Sequence, residues 1–488
     1  LGEPASRNGD EEALLRLQGL EQALLRAYLK HPEPMLPREY QRLRYALRLA
    51  ALDRFEPGAA PGRRGRGDVV TDPQIIEPLR QQLLETLSGP LRQEKDLRQR
   101  LCAAAVALRP LERTVQDTRR RLLQRHAGDF DAAELDAELC RRTLVLTAGG
   151  GGGAGFVYVG ALARLQAAGI APGYVVGSSI GALLGAFVAR DARPDYPALL
   201  NFAKSLTAAG IFAPPRVLAT HSMPGLFRLH LAALEREFAG ADGAPRTLKE
   251  LAIPYEAVVG GIRARVYDRI PALLRSPRMD GGKRMSEQIA ERMWQLTTLI
   301  TPNLIDEIVL GRDEDTAAFE VVEAIGFSAA IPGVLQFDPQ QRSERMRGLL
   351  AGLTDRRQLA AVVDGGVANN VPAKIAWRGV RGGKLGTRNA FFLAFDCFLP
   401  QADRRHVWLW PVTQAVQLQM PANRPYFDWL LQFRPTLSPV NLLPSPQELD
   451  QAWDWGWQQM DQVLPLVAKA LEPIPQECIP SPSGRGTG

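Results

Sequence analysis

Residues 143–190 read TLVLTAGGGGGAGFVYVGALARLQAAGIAPGYVVGSSIGALLGAFVAR. A short β-rich run, Thr143 to Thr147, leads into glycines 149–153. Phe156 to Ala168 carries helical spacing and ends at Gly169, and Tyr174-Val175-Val176 then enters Gly177-Ser178-Ser179-Ile180-Gly181. Strand, helix, strand and helix in this order predict a parallel sheet with crossover helices. A serine held between a strand and a helix needs small neighbours, because side chains there would strike the adjoining elements. Ser179 is therefore the candidate nucleophile.

The rest of the chain sets the bounds. With 488 residues it can bury a large core and has room for an extension or further domains. Its 45% apolar and 23% charged residues are those of a globular protein, and no run approaches the ~18 apolar residues of a membrane-spanning helix. The net charge of +6 is spread along the chain, which suits an anionic surface without selecting one. Cys102, Cys140, Cys397 and Cys478 lack metal-ligand spacing and read as free thiols. The opening Leu1-Gly2-Glu3-Pro4 has no basic stretch followed by an apolar one, so the expected location is cytoplasmic, or the leader is missing from this sequence.

Before Thr143, helical periodicity covers about 11–30, 38–53, 73–88, 91–126 and 132–141, with a bend or restart expected at Pro110. Residues 1–140 thus read as an all-α extension. The loop from Pro57 to Gly67, with Arg63, Arg64 and Arg66, reads as a solvated linker. Beyond Arg190, further strands are expected at Tyr255–Val259, Glu307–Leu310, Ala361–Val363 and Ala390–Phe395, and a helical insertion at about 264–305. The proline-rich tail 473–488 is expected to be disordered, which leaves 141–472 as the α/β domain.

Two chemistries compete for the glycines. Gly150-x-Gly152-x-x-Gly155 formally fits a dinucleotide fingerprint, yet a glycine run satisfies almost any glycine pattern. A dinucleotide site also needs an acidic residue after the second strand, where this chain has Gly177-Ser178-Ser179. Acyl transfer accounts for both features. Attack on an ester carbonyl creates an oxyanion, and the N–H groups of a side-chain-free loop at a helix start can stabilise it by several kcal/mol. Gly150, Gly151, Gly152 and Gly153 are the candidate oxyanion hole. For the base, Asp364 follows Ala361-Val362-Val363 and precedes Gly365-Gly366, which places a carboxylate at a strand end; a turn aspartate would look the same. A triad of Ser179, Asp364 and His406 has the chain order of α/β-hydrolases and stays open.

Four ordered blocks resemble the patatin-like phospholipases: Gly150-Gly151-Gly152-Gly153-Ala154-Gly155 leading into Gly160-Ala161-Leu162, the elbow Gly177 to Gly181, Ser328-Ala329-Ala330-Ile331-Pro332-Gly333, and Asp364-Gly365-Gly366 with Asn369-Asn370-Val371-Pro372. They span about 143–372, and the segment holding Trp455, Gly456 and Trp457 is similar to the family's last helix. The resemblance implies a three-layer α/β/α hydrolase with a mostly parallel central sheet. It further implies a Ser179–Asp364 dyad, no histidine, no metal and no cofactor. Ala154 departs from it, since members usually have Arg or Lys there.

The expected reaction is hydrolysis of a lipid carboxylic ester through an acyl-enzyme on Ser179, with a phospholipid as substrate and no nucleic-acid partner. Six of the eight tryptophans follow residue 400, at Trp408, Trp410, Trp429, Trp453, Trp455 and Trp457, and aromatics suit peripheral contact with a membrane. The competing readings are a Ser-His-Asp esterase and an inert lipid-binding scaffold recruited through the helical extension, which could also act as a regulatory cap.

Overall fold

The computed structural model describes residues 5–59, 65–216, 221–277, 279–300, 304–339, 344–400 and 407–480. Arg63, Arg64 and His406, and the tail beyond Pro480, lie outside them. Within 473–480 the Ile474 N–H donates to the Cys140 carbonyl at 3.0 Å, and Cys478 is buried. The chain divides into two compact units: Leu1–Leu144 with Arg378–Phe391 and Val463–Gly488, and Val145–Trp377 with Phe392–Gln462.

The first unit is a helical array of α1 (Ala5–Lys30), α2 (Pro37–Ala51), α3 (Pro73–Ser88), α4 (Leu97–Arg125) and α5 (Ala132–Cys140). Their apolar stripes face one another: Leu17, Leu20 and Leu24 of α1, Leu43 and Leu47 of α2, Leu79 and Leu83 of α3 and Leu111 of α4 are all buried. Helix α4 runs through Pro110 without the expected restart. Proline at that position frees the carbonyl of Val106, four residues earlier, and Val106 lies open to water, which can satisfy it. The interruption comes earlier, where Gly89–Gln93 forms a π-helical turn before Asp96 caps α4.

At the centre of this unit the buried Glu21 carboxylate lies 3.4 Å from Arg44 Nε, 3.0 Å from Arg48 Nε and 3.5 Å from Arg142 Nη1. Burial alone would raise its pKa, but the three guanidinium groups outweigh it and hold the carboxyl down at about 2.

The second unit carries the sheet. Its strands are β1 (Thr143–Ala148), β2 (Pro172–Ser178), β3 (Tyr255–Arg263), β4 (Ile305–Leu310), β5 (Leu359–Asp364), β6 (Ala390–Asp396) and β7 (Trp429–Gln432). Helix α6 (Val157–Ala167) connects β1 to β2, and α7 (Ile180–Arg190) and α8 (Tyr196–Ser205) follow β2. The neighbours run β5-β3-β2-β1-β6-β7, with β4 also on β3, in a mostly parallel sheet. The pairs β2–β3 and β6–β7 are parallel, while β4 and β5 both run antiparallel to β3. All six strands expected from the sequence are present; β7 is additional, as is a small separate sheet of Phe212–Ala213, Phe227–Leu229 and Leu335–Gln336. Between Ala264 and Ile305 only Ala264–Tyr267, α9 (Met285–Gln295) and a 3-10 turn at Leu296–Thr298 are helical among the described residues, so the insertion is less helical than expected.

One register decides the site. Strand β4 covers one edge of β3 from Ala257 to Ile262. Both β2 and β5 must therefore use the opposite edge. Strand β2 ends with Ser178 opposite Val258, and β5, arriving from the other direction, ends with Asp364 opposite the next residue, Val259.

Replacing Glu21 by Gln removes the buried carboxylate that faces three buried guanidinium groups, and breaking such a cluster costs about 3–5 kcal/mol. Thermal unfolding of Glu21→Gln at pH 7 is expected to start well below wild type. The gap should close as wild type is acidified below about pH 4, because Glu21 contributes its stability above its unfolded pKa and loses it as pH falls towards about 2.

Candidate active site

The meeting of β2 and β5 forces the local sequence. Ser179 follows β2 with φ 54° and ψ −124°, a backbone region that costs a non-glycine residue strain. Helix α7 starts immediately after it. A Cβ on Gly177 would lie 2.4 Å from the Gly181 carbonyl oxygen, one on Gly181 2.1 Å from that of Ala148, and one on Gly365 2.1 Å from that of Val258. The small residues read from the sequence as the elbow's requirement are thus required by backbone, which cannot yield as a side chain could.

The two chain ends bring the candidate pair together. Ser179 Oγ donates to Asp364 Oδ2 at 2.6 Å, and Asp364 Oδ1 accepts the Gly366 N–H at 2.7 Å. Both residues are buried. Burial is the largest influence on Asp364 and raises its pKa; the hydrogen bonds from Ser179 and Gly366 oppose it, and the result is about 7.

A further segment holds both residues in place. Ser328, at the end of α10 (Val321–Ser328), accepts the Ser179 N–H on its Oγ at 2.9 Å and donates that hydroxyl to the Val258 carbonyl at 2.6 Å. Two residues on, the Ala330 carbonyl accepts the Asp364 N–H at 2.8 Å. Sequence reasoning matched this block to a family pattern without giving it a task. Its signal, a serine at a helix end before Ala-Ala-Ile-Pro, shows its partners only once the sheet register is known.

Of the four glycines expected to form an oxyanion hole, two have their N–H groups engaged within the protein. The Gly150 N–H donates to Asn370, to Oδ1 at 3.1 Å and to the backbone oxygen at 3.3 Å, while the Gly153 N–H donates to the Pro439 carbonyl at 3.0 Å. Among the described residues the N–H groups of Gly151 and Gly152 have no acceptor, and both residues line a cavity of about 330 Å³ with Ser179 and Asp364. Gly152 has φ +54°, and a Cβ there would meet the Pro439 oxygen at 2.3 Å. Ala154 is fully buried, so an arginine or lysine there would have to bury at least its stem.

The cavity has no histidine among its described lining residues, nor any lysine or arginine. Apart from Ser179 and Asp364, its polar side chains are Asn370 and Asn441; Met293, Val412 and Val416 are among its apolar ones. Such a site can accommodate an uncharged ester, activate a hydroxyl and stabilise an oxyanion through backbone dipoles.

The position of Asp364 predicts two opposed pH effects. Were Asp364 the base of the reaction, its ionised form would fall about tenfold per unit below about 7, and log(kcat/KM) would rise with unit slope up to about pH 7 and then level. For stability the sign reverses. Between the unfolded value near 4 and about 7 the folded protein keeps a proton that the unfolded chain releases, so Asp364 costs stability as pH rises through that window. Asp364→Asn should therefore raise Tm relative to wild type at pH 8 and leave it nearly unchanged at pH 4; no gain at pH 8 would contradict the burial account.

Comparison with known proteins adds an independent line. Residues 146–377 match the family described as Patatin-like phospholipase. The chain is 40% identical over 88 residues to the lysophospholipase nte1 of Aspergillus fumigatus and 41% identical over 88 residues to that of Emericella nidulans. In both cases 18% of this chain is matched, and the match spans 6% of the relative's length. To the lysophospholipase nte1 of Aspergillus oryzae it is 45% identical over 65 residues, which are 13% of this chain and 4% of that protein. The glycine loop, the serine elbow, the Ser328 block and Asp364 all fall inside the matched family segment, and residues 146–377 form a domain of the patatin-like phospholipase family.

Proposed function

We propose that this protein is a lipid acyl hydrolase of the phospholipase A or lysophospholipase type, working through Ser179 and Asp364. The observation that carries this reading is the 2.6 Å hydrogen bond between Ser179 Oγ and Asp364 Oδ2 in an apolar cavity, within a segment matched to a phospholipase family. Ionised Asp364 takes the Ser179 proton as Oγ bonds to the ester carbonyl carbon. The oxyanion turns to the N–H groups of Gly151 and Gly152. The tetrahedral species collapses, the carbon–oxygen bond to the alcohol breaks, and Asp364 returns its proton to the departing oxygen. Water then repeats the sequence on the acyl-enzyme, with Asp364 again as base, and releases the fatty acid.

Contact with a lipid surface belongs to the same reading. Trp294, 61% exposed, follows Met293 of the cavity wall, and Leu418, 76% exposed, comes just after α11 (Trp410–Gln417), which supplies Val412 and Val416. Exposed Trp410 and Val440 join them. Large apolar side chains left in water beside a lipid-sized cavity suit insertion among lipid chains. No described helix is long and apolar enough to cross a membrane.

Assays with a fluorogenic acyl ester and with mixed phospholipid vesicles test the chemistry. Ser179→Ala and Asp364→Asn should each lose about a thousandfold or more in kcat/KM, and His406→Ala should stay within about twofold, since the dyad assigns it no proton transfer. Undiminished turnover in either dyad variant refutes the mechanism, and loss of turnover in His406→Ala favours a triad. For the surface, Trp294→Ser/Trp410→Ser should reduce partition onto phosphatidylcholine vesicles by roughly tenfold, each tryptophan contributing interfacial free energy of the order of 1 kcal/mol; unchanged partition would remove the membrane contact from the proposal.

A further inference from the structure

A second cavity, of about 120 Å³, also opens at Ser179. Besides Ser179 it shares Gly152, Phe212, Ile331, Leu335, Leu442 and Leu443 with the first, but differs from it in chemistry. Ser179 is its one polar side chain among the described lining residues; the others, such as Phe156, Leu184, Phe187, Leu199 and Phe202, present only carbon. Asp364, Asn370 and Asn441 all line the first cavity and not the second.

The proton route allocates these spaces. Asp364 must return a proton to the departing alcohol oxygen and later take one from the incoming water, so alcohol and water in turn must stand on the side that Asp364 faces. That side is the first cavity. Between the two half-reactions the acyl group stays bonded to Ser179 Oγ and must leave the approach to Asp364 clear. The second cavity offers that place, with walls that suit a hydrocarbon chain.

We propose that the second cavity holds the acyl chain and the first holds the alcohol portion, and that the alcohol portion itself carries an apolar chain. This rests on the lipid hydrolase reading above and narrows its substrate. The alcohol side is walled by Ile289, Met293, Val412 and Val416 and has no lysine or arginine among its described lining residues to meet a phosphate. A bare glycerophosphate head group placed there would lose its hydration without gaining a cation from the described lining residues. An ester with two apolar arms fills both spaces, so a diacyl lipid is the favoured substrate and its phosphate, where it has one, stays outside.

The chain assignment can be tested on the wild-type protein. An alkyl fluorophosphonate bears its chain on phosphorus, in the place of the acyl chain, and a terminal diazirine on that chain marks where it lies. After reaction at Ser179 and irradiation, cross-links are expected in peptides of α8 or at Leu206, Leu229 and Leu231. Cross-links at Val412 or Val416 instead would overturn the assignment, whereas failure to label Ser179 at all would count against the hydrolase reading. Ala203→Trp, which fills the second cavity from a half-exposed position on α8, should lower the ratio of hexadecanoyl to butanoyl p-nitrophenyl ester turnover at least about tenfold, as expected when a chain loses its apolar pocket. An unchanged ratio in a folded variant speaks against the pocket. In one detergent, diacyl phosphatidylcholine should be cleaved at least about tenfold faster per unit kcat/KM than its monoacyl form, an apolar pocket being worth that much discrimination; parity or the reverse order overturns the two-arm substrate.

Discussion

Two strands share one edge of β3, and most of the site follows from how they meet. Strand β2 approaches along β3 and stops opposite Val258; β5 approaches from the other end and stops opposite Val259. The residues at these ends, Ser179 and Asp364, are 185 positions apart in sequence and in hydrogen-bond contact. With backbone converging from both sides, no side chain can be tolerated at Gly177, Gly181 or Gly365. The positive φ of Ser179 is the residual strain of that junction, and such strain persists only where the surroundings over-determine it. Ser328 and Ala330 supply the constraint, since their hydroxyl and carbonyl hold the N–H groups of Ser179 and Asp364 respectively.

Asp364 is the one ionisable side chain among the described residues that line the cavity at this junction. No lysine, arginine or histidine lines the Ser179 cavity among the described residues, and the N–H groups of Gly151 and Gly152, which line it, are the donors proposed to meet an oxyanion. Fixed dipoles need no counter-charge and little reorganisation as an oxyanion forms, which makes them effective where water is excluded. This bears on Ala154. Its methyl group is fully buried, so alanine fits the packed loop of this chain, and the N–H groups of Gly151 and Gly152 have no acceptor among the described residues.

What the sequence showed followed the reach of each signal. Buried strands and serine-elbow glycines are local, and the runs at Thr143, Tyr174, Tyr255, Glu307, Ala361 and Ala390 all lie in observed strands. The pairing of Ser179 with Asp364 came from the family resemblance; the residues alone placed Asp364 at a strand end, where a turn aspartate or a triad with His406 fitted equally well. Strand β7 was not legible: Trp429-Leu430-Leu431-Gln432 is a four-residue edge segment whose partner β6 alone makes it a strand. The engaged N–H groups of Gly150 and Gly153 were equally hidden, because their acceptors, Asn370 and Pro439, lie more than 200 positions away. Of the bend or restart expected at Pro110 the restart is absent, since a helix exposed to water at the freed carbonyl can continue through a proline.

The raised pKa of Asp364 ties the burial of the junction to the chemistry proposed for it. The same loss of water that holds this carboxyl at about 7 makes the carboxylate a stronger base than an exposed aspartate, so it accepts the serine proton more readily once ionised. Further burial would shift the balance the other way, because an aspartate protonated at neutral pH cannot begin the reaction. The hydrogen bonds from Ser179 and the Gly366 N–H limit the shift. A lipid chain entering the second cavity would dehydrate Ser179 from a space that Asp364 does not line, while the alcohol in the first brings an oxygen able to accept its proton. Two separate apolar arms thus let a substrate fill the site with hydrocarbon and still leave a polar atom where the proton has to go.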